Sequence, residues 1–129
     1  MTRLALALAT LLTVSAPALA QQHNHGSKGP NGGVLEDVAG VHAELLASGN
    51  TITVNILDES NKPMKTAGFT GSALVVNGSN RETVQLTVSG ETALKGDAKQ
   101  PIAPSTQVTL MLKTAAGKTG QARFTLPKR

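Results

Sequence analysis

From Val34 onward, apolar and polar residues alternate with a period of two, and the alternation is broken every few residues by Gly, Asn or Pro. The clearest run is Val41-His42-Ala43-Glu44-Leu45-Leu46. On a strand, Val41, Ala43 and Leu45 face one way, while His42, Glu44 and Leu46 face the other. After the turn residues Ser48-Gly49-Asn50, Thr51 to Asp58 alternates again, with Ile52, Val54 and Ile56 set against Thr51, Thr53 and Asn55. The two runs predict a β-hairpin. Val34 to Val38 predicts a short strand ahead of them, ended by a turn at Ala39-Gly40 and able to serve as a sheet edge. Phe69 to Asn77 and Glu82 to Val88 predict two more strands around Asn77-Gly78-Ser79-Asn80, with Val84, Leu86 and Val88 inward. Ala93 to Gly96 reads as a short edge strand. Pro101 and Pro104 break the next stretch into a loop across one end of the sheets. Val108 to Thr114 and Gln121 to Leu126 predict a closing hairpin around Ala116-Gly117-Lys118.

Seven or eight closely spaced strands, with no helical period after residue 20, predict an all-β fold. The expected architecture is an antiparallel β-sandwich of the immunoglobulin-like kind, or a small barrel.

The chain ahead of this domain has a different character. Residues 1–20 carry Arg3, an apolar run from Leu4 to Val14, and the small-residue cleavage pattern Ala18-Leu19-Ala20. The run is shorter than the roughly 20 residues needed to span a bilayer. A signal peptide over 1–20 is therefore expected, and with it a periplasmic or secreted product that is not embedded in a membrane once the signal is cut. Ala16-Pro17-Ala18 offers a second cleavage site two residues earlier. Residues 21–32, rich in Gln, Asn, His, Gly and Ser, predict a flexible His-containing arm, and 33–129 one β domain.

Composition excludes several classes of function. The chain has no Cys, which removes disulfides, thiolate metal sites and Cys nucleophiles. It has no Trp or Tyr, and Phe69 and Phe124 are its only aromatic residues, so there is no stacking platform for nucleic acid or sugar rings. The net charge of +4 falls by one when Arg3 leaves with the signal, and the remaining basic residues are scattered. No nucleic-acid partner is expected. There is no G-x-S-x-G elbow and no phosphate loop, and no Asp is evidently placed to orient His42. The carboxylate pairs Glu36-Asp37 and Asp58-Glu59 read as solvated charges. No enzymatic activity is expected.

Metal chemistry is better supplied. Cleavage after Ala20 would begin the mature chain at Gln21-Gln22-His23. The free α-amine of Gln21, the two deprotonated backbone amides that follow it (the nitrogens of Gln22 and His23), and the Nδ1 of His23 at the third position form a square-planar donor set suited to Cu(II) or Ni(II). His25 adds a second imidazole. His42 and Glu44, two apart on one strand face, lie roughly 7 Å from each other by strand rise and make a second candidate pair. A closed site needs three or four donors, which the arm's histidines would help supply. The alternative readings are a soluble spacer for the arm and a solvent-facing polar pair for His42 and Glu44.

The stretches Pro30-Asn31-Gly32-Gly33-Val34 and Val41-His42-Ala43-Glu44-Leu45, with the Asp58 to Pro63 turn and the Gly117-Lys118-Thr119 to Phe124 hairpin, resemble small exported bacterial proteins associated with heavy-metal efflux systems. They are also similar to the N-terminal β domain of some periplasmic efflux adaptor subunits. The likeness covers most of residues 30–126. Such proteins often carry His directly before the Gly pair; Asn31 stands there in this chain, which removes one potential ligand. The resemblance implies a periplasmic β module contacting metal ions or an efflux adaptor subunit. The expected function is a metal-binding accessory protein that buffers or hands over Cu(II), with Gln21, Gln22, His23, His25, His42 and Glu44 as site residues. No cofactor is required for folding. The competing expectation is a non-enzymatic protein-interaction module with no metal role.

Overall fold

The structure is a computed structural model, and it describes residues 26–128. The expected signal peptide and the arm residues Gln21 to His25 lie outside the described residues. Nine strands follow in chain order: β1 (Ser27–Lys28), β2 (Val34–Val38), β3 (Val41–Ser48), β4 (Thr51–Leu57), β5 (Thr70–Asn77), β6 (Asn80–Ser89), β7 (Ala93–Asp97), β8 (Gln107–Lys113) and β9 (Thr119–Thr125). The described residues contain no helix. The eight strands expected from the alternation are all present, with ends within two residues of expectation. The ninth, β1, falls in the stretch read as arm and pairs with β2, Ser27 opposite Leu35 and Lys28 opposite Val34.

All pairings are antiparallel, and the strands form one curled sheet in the order β1-β2-β3-β4-β7-β6-β5-β8-β9, a half-barrel. The curl turns at β6. Its first part pairs with β5, from Asn80 opposite Asn77 to Leu86 opposite Gly71, and its last part pairs with β7, from Thr87 opposite Lys95 to Ser89 opposite Ala93. Gly96 makes the turn possible: a Cβ there would run into the Gln85 carbonyl oxygen and would sit 2.7 Å from Val84 Cγ1. Where β6 crosses, β7 has room only for a hydrogen.

Two strand positions differ from expectation. Val34–Val38 is an edge only in part, because β1 pairs with Val34 and Leu35 on its outer side, while Glu36 to Val38 have no ladder partner there among the described residues. Ala93–Asp97 is not an edge either; it runs between β4 and β6. Its polar Lys95 is exposed because the outer face of the sheet meets solvent, not because the strand is peripheral. Val88, expected inward, is 42% exposed because it lies past the corner, where β6 has left β5.

The inner faces of the two flanks close on each other. Leu45, Ile52, Val54, Ile56 and Leu94 come from one flank and Val108, Leu110 and Phe124 from the other, all essentially inaccessible to water. Burial of such apolar surface stabilises by about 25 cal/mol per Å2. Thr66 is also fully buried, and its hydroxyl donates to the carbonyls of Glu91 and Ala93. The 98–106 loop does cross one end, as its prolines suggest. It is tied to the β3–β4 turn by Ala98 N to Asn50 O (2.8 Å) and Ile102 N to Gly49 O (2.8 Å).

The β2–β3 turn matters for the site. Ala39 (φ 50°) and Gly40 (φ 81°) are both left-handed, the backbone of a two-residue hairpin turn whose twist matches its strands. Ala pays for that φ with a Cβ clash that Asn tolerates better. Ala39→Asn is therefore expected to raise the unfolding free energy by up to about 1 kcal/mol, read as a shift in the urea midpoint with an unchanged slope.

Beyond Ala39 the curl closes without a ladder. Gly120 of β9 packs directly on Ala39, where an added Cβ would lie 2.6 Å from the Ala39 nitrogen. Among the described residues no strand pairing joins β2 to β9. A groove runs along this seam, with Gly26 and Glu36 on one side and Gln121, Arg123 and Thr125 on the other.

Candidate functional site

A two-residue turn at Ala39-Gly40 fixes the register of the strands it joins: Val38 faces Val41, Asp37 faces His42, Glu36 faces Ala43, and Leu35 faces Glu44. Directly opposed residues share a sheet face. His42 and Glu44 thus both stand on the outer face, as the alternation predicts, but their side chains go to different partners.

Glu44 is fully buried, although it sits on the outer face, because the β1–β2 loop folds over it. The backbone N–H of Asn31 donates to Glu44 Oε2 at 2.8 Å, and that of Gly33 to the same oxygen at 3.2 Å. The Asn31 side-chain amide donates to Oε1 at 2.7 Å, and the Asn55 amide reaches Oε1 at 3.4 Å. Two glycines allow the approach. A Cβ at Gly29 would overlap the Glu44 carboxylate, and one at Gly33 would lie 2.6 Å from the Leu45 carbonyl oxygen and 2.8 Å from Glu44 Cγ. The loop is closed on itself by Gly29 N to Gly33 O (2.8 Å) and Gly32 N to Gly29 O (3.0 Å). The two stretches that stood out in the sequence, Pro30 to Val34 and Val41 to Leu45, are therefore the two halves of one clamp. Glu44 holds down the segment that carries the arm.

His42 lies at the next outer-face position along β3. Its ring is held from both sides: Nδ1 is 2.7 Å from Asn61 Oδ1, and Nε2 is 3.0 Å from Asp37 Oδ1. Asp37 is 84% exposed and the His42 side chain 24%. Asn61 is presented by a tight turn. The Asp58 carboxylate accepts from Ser60 N (2.8 Å) and Lys62 N (3.0 Å), Asp58 N donates to Lys62 O, and Asn61 takes a left-handed φ of 61°.

Of the residues singled out in the sequence, Gln21, Gln22, His23 and His25 lie outside the described residues. His42 and Glu44 are on one face but do not converge on a common point: His42 goes to Asp37 and Asn61, Glu44 to the clamp. Among the described residues, no three His, Asp or Glu side chains come together as a group able to hold a metal. Asp37, Asn61, Asn31 and Asn55 are the site residues that sequence reasoning missed. Asp37 was recoverable, because a two-residue turn at Ala39-Gly40 forces it opposite His42 and so supplies the orienting Asp that no sequence neighbour suggests. Asn61 was not, because it arrives from the β4–β5 loop. The two partners of His42 are a carboxylate and a side-chain amide.

The chain matches no known protein family, no curated protein and no solved structure.

Proposed function

We propose that this is an exported, periplasmic metal-binding accessory protein. It takes up Cu(II) weakly and exchangeably on an N-terminal arm and hands it to a partner such as an efflux adaptor subunit. His23 at the third position of a chain beginning at Gln21 is the principal ligand residue, with the α-amine and the intervening amides completing a square plane. His25 is the neighbouring imidazole. The observation that supports this reading is the clamp on Glu44. It anchors residues 29–33, which follow the arm in sequence, to the sheet that carries His42 on its outer face. Tethering raises the effective concentration of one donor set near another. The β domain, whose two flanks pack face to face as in a sandwich, is then a platform.

Native mass spectrometry of the exported protein with one equivalent of Cu(II) tests this. An unmodified Gln21 terminus retaining one copper, lost in His23→Ala, is the expected result. Loading needs deprotonated donors, so copper retention should fall as the solution is acidified. A pyroglutamate or Leu19 terminus with no retained copper would instead favour a protein-interaction module. That second reading is supported by the outer edge of β9, which has no ladder partner among the described residues and offers backbone groups for strand addition.

A further inference from the structure

We infer that Asn77 is a site of spontaneous covalent modification, converting through a cyclic imide to aspartate and isoaspartate, while the same dipeptide at Asn31-Gly32 is held unreactive by the Glu44 clamp. The inference is independent of the metal reading.

Asn-Gly occurs twice in the chain, at 31–32 and 77–78. The chemistry open to both is the same. The deprotonated backbone nitrogen of the glycine attacks the side-chain Cγ of the asparagine. A carbon–nitrogen bond forms, the Cγ–Nδ2 bond breaks, and Nδ2 leaves as ammonia. Water then adds to one of the two imide carbonyls and opens the ring. Opening on one side gives aspartate; opening on the other gives isoaspartate, which carries one more carbon in the backbone. Glycine favours the attack because no Cβ shields its nitrogen and its backbone is free to turn.

The structure gives the two copies opposite surroundings. Asn77 is the last residue of β5, and Gly78 takes the first central position of the two-residue turn that pairs Asn77 with Asn80. Its φ of 61° and its place suit the tight hairpin turn that asks for glycine there. Asn77 is exposed, and its side chain has no hydrogen-bond partner among the described residues. The Gly78 N–H has none there either, and a Cβ built on Gly78 would meet nothing within 4 Å. The nucleophile and its target are both unengaged, with space around them. Asn77 also lines a hollow of about 260 Å3 with Arg81 and Lys99. Positive charge nearby favours the ionised nitrogen that attacks. The one carboxylate lining that hollow, Glu82, accepts from the Lys99 backbone N–H at 2.8 and 3.1 Å.

At Asn31 every participant is occupied. Its side-chain amide donates to Glu44 Oε1 at 2.7 Å and its own N–H to Oε2 at 2.8 Å. The would-be nucleophile, Gly32 N, donates to the Gly29 carbonyl at 3.0 Å. A carboxylate beside the dipeptide also disfavours ionisation of its nitrogen. The reaction at 31 therefore has to wait for the loop to open. Conversion at 77 adds a negative charge beside Arg81 and Lys99, and isoaspartate lengthens the backbone where the β5–β6 ladder starts. Older molecules are thus more acidic, and looser, at this one end of the sheet.

The test ages the full exported chain in mildly alkaline buffer at physiological temperature and follows both sites by peptide mass mapping, with enzymatic methyl transfer to count isoaspartate. Asn77 is expected to lose its amide at least about tenfold faster than Asn31, and at a rate close to that of a free peptide spanning Leu74 to Arg81. Arg81→Gln should slow position 77 by about two- to fivefold, the size of an exposed charge effect. Glu44→Ala, with circular dichroism as a fold check, should raise the rate at 31 by at least about tenfold and leave that at 77 unchanged. The comparison within the unmutated chain decides even if Glu44→Ala fails to fold. If Asn77 converts no faster than Asn31, or stays intact while the free peptide is consumed, the inference falls. A folded Glu44→Ala in which Asn31 is as slow as before would overturn the protective part played by the clamp.

Discussion

Glu44→Ala should destabilise the domain by about 1–3 kcal/mol, the range for leaving a buried donor without its acceptor. Gly33 N would lose its acceptor in a buried place, while Asn31 N and the Asn31 side-chain amide, which are only partly buried, could turn to water. Each unsatisfied buried donor costs about 1–3 kcal/mol. For a domain of this size, 1 kcal/mol moves the unfolding temperature by about 4–8 °C, so a drop of at least about 4 °C is expected. Calorimetry or far-ultraviolet circular dichroism is the measurement of choice, since the chain has no Trp or Tyr to report by fluorescence. The loss should be local in character. Amide exchange at Asn31 and Gly33 should quicken more than exchange at Leu110 or Phe124, whose neighbours are untouched. A loss below about 1 kcal/mol would mean that water replaces the carboxylate and that the clamp carries little weight.

Gly96→Ala is expected to be the most damaging single-methyl change in the sheet. The obstacle is a carbonyl oxygen of the crossing strand, not a pliable side-chain tip, with Val84 Cγ1 at 2.7 Å beside it. Overpacking of this kind costs about 1–3 kcal/mol, and more where backbone has to move. The strands must separate at the corner where β6 passes from β5 to β7. Gly49→Ala makes the control, because an added Cβ there meets nothing within 4 Å, and its cost is confined to the left-handed φ of 59°. Denaturant melts of the two variants separate packing from backbone strain. Equal losses would remove the corner as the reason for glycine at 96.

Much of this fold was legible from alternation, because period-two patterning and Gly/Asn/Pro turns are local properties. All eight strands between Val34 and Leu126 followed from it. What the pattern could not reveal was order. Ala93–Asp97 looked peripheral because it is short and carries Lys95, yet it is an interior strand with one wet face. Val34–Val38 looked like an edge along its whole length because nothing in a Gly- and Ser-rich stretch announces a two-residue strand such as Ser27–Lys28, which covers Val34 and Leu35. Val88 continued a perfect alternation past a corner that only tertiary structure imposes. At the site, the sequence put His42 and Glu44 on the same face, which is correct. It could not say that one carboxylate is spent on a loop while another, Asp37, takes its place beside the imidazole. The Asn61 contact joins residues 19 apart, and no local pattern encodes it.

The seam between β2 and β9 has a consequence for how such a domain is used. Gly26, one residue before β1, and Thr125, the last residue of β9, line the same groove. A polypeptide that enters and leaves through neighbouring points is a cassette: it can be spliced into a surface turn of a larger protein, or its ends joined and a tip such as Gly78 opened, without disturbing the ladder. The same layout lets the domain hang from a host by either terminus while presenting one unchanged face to whatever that host brings near.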